Sequence, residues 1–313
     1  MVSAHALTNR IGLFLALSRT PHGLLDLSTP ALGALLWLGG FPSLSITLLG
    51  LLTAFAGYTA VYALNDLVDV ANDRTKLALA KEDADQGYLD AVGVRHPLAQ
   101  GLLSLPAGLA WFVFWAVLAL AGAYALNPVC LYLFVGGIGL EVAYCLLLRL
   151  SHYRTLLSGL VKTTGGIAAV FAVDPTPSPL FLIALLAWLF CWEIGGQNVP
   201  ADWHDIQEDR HLGARTVPVV YGPRVAGLIT VVSLSLSLVL GLVVLALAPL
   251  QIHWVLFVAA GGAGIYLLIL PAFDLWRKQT RREATILFNR GSYYPLAMLI
   301  IILMSMAIEK LTH

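Results

Sequence analysis

Apolar runs of about twenty residues recur along the whole of this 313-residue chain, and no other feature restricts its fold so tightly. Such a run, wound as a helix, crosses the roughly 30 Å hydrocarbon core of a bilayer. Lipid offers backbone N–H and C=O groups no partners, so a spanning segment of this kind must be helical. The runs predict spans near 18–39, 44–64, 103–126, 128–148, 156–173, 179–199, 225–248, 252–273 and 292–309. The expected fold is all-α, a polytopic membrane protein whose nine transmembrane helices form one domain over 1–313. Composition agrees: 59% of residues are hydrophobic and 12% charged, where a soluble domain carries about 25% charged. The net charge of zero gives no case for a nucleic-acid partner. Cys130, Cys145 and Cys191 lie inside apolar runs without metal-ligand spacing and read as small core residues. The N-terminus lacks the short apolar core and cleavage site of a signal peptide, so the first span is expected to be retained.

The positive charges sort to one side. Arg10 and Arg19 precede or open the first span, and Arg74, Lys76, Lys81 and Arg95 fall between the second and third. Arg149 and Arg154 follow the fourth, Arg210, Arg215 and Arg224 the sixth, and Arg277, Lys278, Arg281, Arg282 and Arg290 the eighth. Sixteen of the eighteen Lys and Arg residues are so placed, leaving Lys162 and Lys310, while the opposite loops GGFPS and ALNPV carry none. The positive-inside rule then makes the N-terminus and the long loops cytoplasmic, and an odd span count puts the C-terminus outside.

Two acidic stretches repeat one pattern: NDLVDVANDRT from Asn65 and ADWHDIQEDRH from Ala201. Asp66, Asp69, Asp73 and Arg74 match Asp202, Asp205, Asp209 and Arg210, each 136 residues on. Each stretch follows an even-numbered span and opens a long loop, 65–101 and 199–224. The repetition predicts a bundle of two related halves with a site in the cavity between them. On a helix the i, i+3, i+7 spacing puts three carboxylates on one face, with Tyr62 and Asn65 on the first stripe. Carboxylates crowded in this way repel unless a cation sits among them, and oxygen-rich clusters suit Mg²⁺ together with phosphate oxygens. The plain alternative is a pair of solvated helix ends; the identical spacing, the duplication and the shared side argue against it.

These residues resemble the UbiA superfamily of intramembrane prenyltransferases. The NDxxDxxxD motif stands as Asn65-Asp66-x-x-Asp69-x-x-x-Asp73, and the second motif as Asp202-x-x-Asp205-x-x-x-Asp209-x-x-x-Gly213-x-x-Thr216. RHPLAQG at 95–101 is similar to the family's basic-Pro-Leu-x-x-Gly element, and SRTPHG at 18–23 to its Arg-containing start of the first span. The resemblance implies Mg²⁺-dependent transfer of a polyprenyl group from its diphosphate to an aromatic acceptor through an allylic cation, within the lipid bilayer. It is closest to the aromatic prenyltransferases of quinone biosynthesis, and no obligate protein partner is evident. Asp66, Asp69, Asp202 and Asp205 are the expected catalytic residues. Asn65, Asp66, Asp69, Asp73, Asp202, Asp205 and Asp209 are the expected metal ligands.

Lys76, Arg95, Arg154 and Arg215 are expected at the diphosphate, Arg215 because it lies within the matched second motif; each can equally be a topology signal or a headgroup contact. Lys162, inside the fifth span, is expected to contact diphosphate or acceptor rather than to snorkel. Arg19 and His22 are placed at the acceptor, against an equal claim of structural capping, and Asn198 joins them. Glu193, Glu141 and Asp26 are also within spans, and the sequence assigns them no partners. Pro200 is expected to break the helix ahead of the second motif. The acidic segment 77–94 reads as solvated surface, or as part of a lid. Acceptors open to such a chain are hydroxybenzoate, dihydroxynaphthoate, homogentisate, haem, chlorophyllide, glyceryl ethers or a ribose phosphate, with RTPHG leaning to hydroxybenzoate. A cyclase of the same fold is one rival. A transporter is another, and carboxylates gathered at one face rather than at the midplane count against it.

Overall fold

The computed structural model describes residues 4–79, 87–250 and 254–312, and every regular element among the described residues is a helix, with no strand. The helices are α1 Ala4–Leu17, α2 Thr20–Asp26, α3 Ser28–Leu38, α4 Leu44–Leu79, α5 Leu105–Leu126, α6 Pro128–Leu146, α7 Arg154–Val173, α8 Pro179–His204, α9 Ile206–Leu212, α10 Val217–Leu247, α11 Trp254–Lys278 and α12 Arg281–Thr312. Eight of them, α4–α8 and α10–α12, are long and apolar enough to span a membrane. The ninth expected span, 18–39, is instead two short helices meeting at Leu27, entered through a left-handed Arg19 at φ 43°. Lys81 and the acids Glu82, Asp83 and Asp85 of the 77–94 segment lie outside the described residues, as does the side chain of Lys310.

Two further boundaries differ from the hydropathy reading. The second span does not stop at 64: α4 runs on to Leu79, so the first aspartate motif is helix and not loop. Its buried face reads Ala56, Thr59, Ala60, Ala63, Leu64, Asp66, Asp69, Asp73, one continuous stripe that changes from mostly small residues to carboxylates. Small residues let neighbouring helices approach, and the carboxylates beyond them are held where those neighbours converge. Second, α10 starts at Val217, but Gly222 at φ 78° followed by Pro223 kinks it, so the regular membrane helix begins close to the expected 225.

Both helices that carry a proline late in their course relax ahead of it. In α8 the turn Glu193–Asn198 is π-helical and precedes Pro200; in α11 the turn Ile265–Ile269 is π-helical and precedes Pro271. Proline cannot donate to the carbonyl one turn back, and a widened turn absorbs the missing bond without breaking the rod. The helix expected to break at Pro200 therefore continues through it to His204.

The main core lies among α8, α10 and α12, around Trp188, Trp192, Leu234, Leu245 and Tyr294. Trp188 Nε1 donates to the Tyr294 hydroxyl at 3.3 Å and Trp192 Nε1 to the Gly291 carbonyl at 2.9 Å, so both indoles keep a polar partner inside. On the other side α3 crosses α7 at Gly33, where an added Cβ would lie 2.5 Å from the Gly166 carbonyl oxygen. Between these two contacts the bundle leaves a cavity of about 450 Å³.

Candidate active site

The two aspartate motifs meet at one end of the bundle. The second is not a single helical stripe: the chain breaks at Asp205 (φ −94°, ψ 12°), the last motif turn restarts as α9, and α9 ends at Gly213 in the left-handed region at φ 73°. A glycine suits that closing position because it has no Cβ. The break keeps all three carboxylates inside; Asp202, Asp205 and Asp209 are buried, as are Asp66, Asp69 and Asp73.

Lys76, one helical turn beyond the first motif, reaches across to the second. Its Nζ lies 3.3 Å from Asp205 Oδ2 and 2.7 Å from Asp209 Oδ1. Arg95 donates to both Asp205 oxygens at 2.8 and 3.1 Å. Arg154 donates to Asp202 at 3.1 Å with its guanidinium 3.8 Å over the Tyr144 ring, and Arg19 donates to Asp66 at 3.1 Å. His96 Nδ1 lies 3.1 Å from both Asp66 Oδ1 and Asp73 Oδ2. The electrostatics follow from this crowding. Burial lowers the His96 imidazole, but Asp66 and Asp73 outweigh it and hold the ring up at about 9. Burial pushes Asp205 up, and Arg95 and Lys76 beside it bring it well below the usual carboxylate range.

The six aspartates suit a hard divalent cation. They supply only carboxylate oxygens, Asp202 Oδ2 and Asp209 Oδ2 are buried without a hydrogen-bond partner, and ligand atoms of Asp66, Asp73 and His96 lie within 4.8 Å of one another. Asn65 does not point its oxygen into this set: its Nδ2 donates to Glu141 at 2.7 Å and its Oδ1 accepts from Arg19 at 3.0 Å.

Next to the aspartates is the polar end of the cavity, lined by Arg19, His22, Tyr62, Asn65, Asp90, Glu141, Lys162, Glu193 and Asn198. Away from it the walls are small and apolar, among them Ala31, Ala34, Gly50, Ala54, Gly57 and Ala168, with Leu51 and Phe134. Lys162 is here, but its ion pair is with Asp26 at 2.6 Å, and it also donates to the Tyr62 hydroxyl at 3.1 Å. Arg19 and His22 are not free to hold an acceptor carboxylate. Arg19 pairs with Asp66 and Asp90, and His22 Nδ1 sits 2.5 Å from Asp90 Oδ1. Asn198 donates to the Tyr144 hydroxyl at 3.0 Å. Arg215 is not brought to the site; it is exposed and forms no ion pair with a described residue.

Asp90, His96, Tyr88 and Asn289 were not singled out by sequence reasoning. Asp90 lies in the segment read as solvated surface, yet it faces the cavity; burial pushes its carboxyl up, and His22 and Arg19 more than reverse this and hold it well below the usual range. Its neighbour Tyr88 stacks on His204 at 4.2 Å between ring centroids. Leu89 N–H donates to Asn289 at 3.0 Å, and Asn289 Nδ2 donates to the Gly87 carbonyl at 2.6 Å. Residues 87–92 of the segment are thus a flap laid across the aspartate end and tied to α12. His96 alone carried a signal, being part of RHPLAQG.

The sequence profile of the UbiA prenyltransferase family matches residues 27–304. A 4-hydroxybenzoate octaprenyltransferase of Shewanella pealeana is 25% identical over 243 residues, covering 76% of this chain and 79% of that protein. The fold matches that of a UbiA homologue from Aeropyrum pernix with TM-score 0.71 at 20% identity, over 92% of this chain and 98% of the other. It also matches a UbiA homologue from Archaeoglobus fulgidus bound to DMAPP and Mg²⁺, with TM-score 0.64 at 17% identity, over 92% and 99% of the two chains. The chain is therefore an integral membrane transferase and belongs to the UbiA prenyltransferase family.

Proposed function

We propose that the protein transfers a polyprenyl group from its diphosphate to a hydroxybenzoate-like aromatic acceptor in quinone biosynthesis, with Mg²⁺. The observation that carries this reading is the reach of Lys76, from the first motif helix, to Asp205 and Asp209 of the second, since it sets the two carboxylate triplets face to face. Asp66, Asp69 and Asp73 with Asp202, Asp205 and Asp209 would hold the metal, which supplies positive charge to bind the diphosphate and stabilise it as it leaves. Lys76, Arg95 and Arg154, already at these carboxylates, offset the charge that develops on the leaving oxygens. The C1–O bond breaks, its electron pair departs with diphosphate, and the allylic cation is left at the polar end of the cavity. The small-residue walls receive the prenyl tail. The flap at 87–92 keeps water from the cation. The distribution of Lys and Arg supports a cytoplasmic location for this end. The names of the relative and of the metal-bound homologue support donor and acceptor class.

The experiment is turnover of radiolabelled geranyl and longer prenyl diphosphates by the purified protein, with and without Mg²⁺, against a panel of aromatic acids. A Mg²⁺-dependent prenylated aromatic is the expected product. Diphosphate release without an adduct would favour internal quenching of the cation by cyclisation, and no donor consumption would remove the reading.

A further inference from the structure

Three carboxylates line the polar end of the cavity, Asp90, Glu141 and Glu193, and a fourth, Asp26, is bonded to the lining residues Tyr62 and Lys162, both at 2.6 Å. Asp90 pairs with His22 and Arg19, and Glu141 accepts from Asn65 at 2.7 Å. Glu193 differs. It is 6% exposed, one oxygen accepts from the neutral Ser158 hydroxyl at 2.6 Å, and Oε2 has no partner. Asn198, 4% exposed, repeats the situation: its Nδ2 is fixed by the Tyr144 hydroxyl, and its Oδ1 has no partner.

These two unsatisfied oxygens are related by the π-helical turn Glu193–Asn198. In an α-helix residues five apart point about 140° away from each other. The i→i+5 repeat of a π turn brings them toward one face instead. Both residues line the cavity. A widened turn thus presents two buried acceptor oxygens without partners to the cavity where an acceptor would meet the prenyl cation. Buried groups of this kind are costly unless a ligand brings the missing donor.

We infer that Glu193 and Asn198 receive a hydroxyl group of the acceptor, and that Glu193 is the base taking its proton. The inference rests on the prenyl-transfer reading and narrows the acceptor to an aromatic with a free hydroxyl ortho to the carbon that is alkylated. The O–H proton passes to Glu193, and the electron pair left on oxygen enriches the ortho carbon. That carbon bonds to C1 of the allylic cation, whose C1–O bond has broken with its electron pair leaving on diphosphate. The ortho carbon then loses its hydrogen as a proton to the released diphosphate, and Glu193 returns its proton to oxygen. One ring hydrogen has been replaced by prenyl, and one proton leaves with diphosphate.

The test uses the purified full chain with Mg²⁺ and geranyl diphosphate, and 4-hydroxybenzoate, homogentisate and 1,4-dihydroxy-2-naphthoate as acceptors. The phenol that is turned over is then compared with its ring-fluorinated analogue, whose hydroxyl is more acidic. Glu193→Gln should lose on the order of a hundredfold in turnover of the plain phenol. It should recover about tenfold or more with the fluorinated one, while the unmodified protein gains little. Affinity for the unreactive geranyl thiodiphosphate should stay within about twofold, which separates lost chemistry from lost folding. Should that affinity fall, Glu193→Ala carries the same test, because the space it opens admits formate. Restored turnover with formate supports the assignment, and no restoration overturns it. Unchanged turnover in Glu193→Gln overturns it, and so does an equal loss with both phenols. Diphosphate release by the unmodified protein with no adduct to any phenol removes the aromatic-acceptor reading and this inference together.

Discussion

Arg95 donates through one nitrogen to both carboxylate oxygens of Asp205, at 2.8 and 3.1 Å, and so ties the loop before α5 to the second aspartate motif. Lys76 reaches the same carboxylate from α4. Two cations from the first half of the chain therefore converge on one carboxylate of the second. A diphosphate held between the motifs would lie among these same cations.

Replacing Arg95 tests that arrangement. Arg95→Ala is expected to lower kcat/KM for a prenyl diphosphate on the order of a hundredfold, the usual loss when a positioned charge is removed from a developing anion. Arg95→Lys should recover only part, since an ammonium loses the planar stacking of the guanidinium, which lies 5.5 Å over the Tyr88 ring. Activity of Arg95→Ala within threefold of the unmodified protein would place the diphosphate elsewhere.

Asp202 carries a second prediction. Its partner Arg154 is 4% exposed, so Asp202→Ala strands a buried guanidinium and is expected to cost about 3–5 kcal/mol in stability. Asp202→Asn, which keeps a side-chain oxygen for Arg154, tests the metal without that loss, and Asp66→Asn does the same beside Arg19. With Mg²⁺ and geranyl thiodiphosphate at a hundred times Kd, the unmodified protein should gain about 2.7 kcal/mol. Neither asparagine variant should show that gain in a thermal-shift measurement, and turnover should be lost in both. A full shift in either variant counts against that aspartate as a metal ligand.

The aspartate pattern could be read from the sequence because one helical period fixes one face, and α4 keeps that period from Ala56 to Asp73. What periodicity cannot give is the partner across a gap. Lys162 reads as a cation in need of an anion, but its partner Asp26 lies 136 residues away on another helix, and nothing local selects it. Asp90 reads as solvated because its neighbours in sequence are acidic, whereas the packing of α2 turns Arg19 and His22 toward it. Arg215 shows the opposite error: membership of a matched motif says nothing about side-chain direction, and here it faces out. The first span fails as one helix at Leu27 for a backbone reason: Pro30 has no N–H for the Asp26 carbonyl, which accepts from the Thr29 hydroxyl at 2.9 Å instead.

Asn289 is the only described residue that bonds the flap from both sides, accepting from Leu89 and donating to Gly87. Asn289→Ala removes both bonds, a loss of about 1–3 kcal/mol confined to that contact. Local opening should become more frequent, so amide exchange at 87–92 should quicken while α4 and α8 keep their protection. Water would then reach the allylic cation, and the ratio of prenyl alcohol to prenylated product should rise. An unchanged ratio with faster exchange would mean that this segment covers the site without excluding water from it.

Chain-length selection should lie in the apolar arm of the cavity. Its wall near α6 is tight: a Cβ at Gly57 would stand 3.3 Å from the Phe134 ring, and Ala54 and Leu51 line the wall one and two turns before it on α4. A phenylalanine at 54 projects into the lumen, because its alanine faces the cavity and has no room to retreat into a packed helix. Ala54→Phe is therefore expected to leave geranyl transfer within about threefold of the unmodified protein and to lower octaprenyl transfer tenfold or more, a cost of about 1.4 kcal/mol per tenfold step. Competition between the two donors in one reaction reads the ratio directly. Equal losses on both donors would mean that the tail leaves the cavity by another route than the wall of α4 and α6.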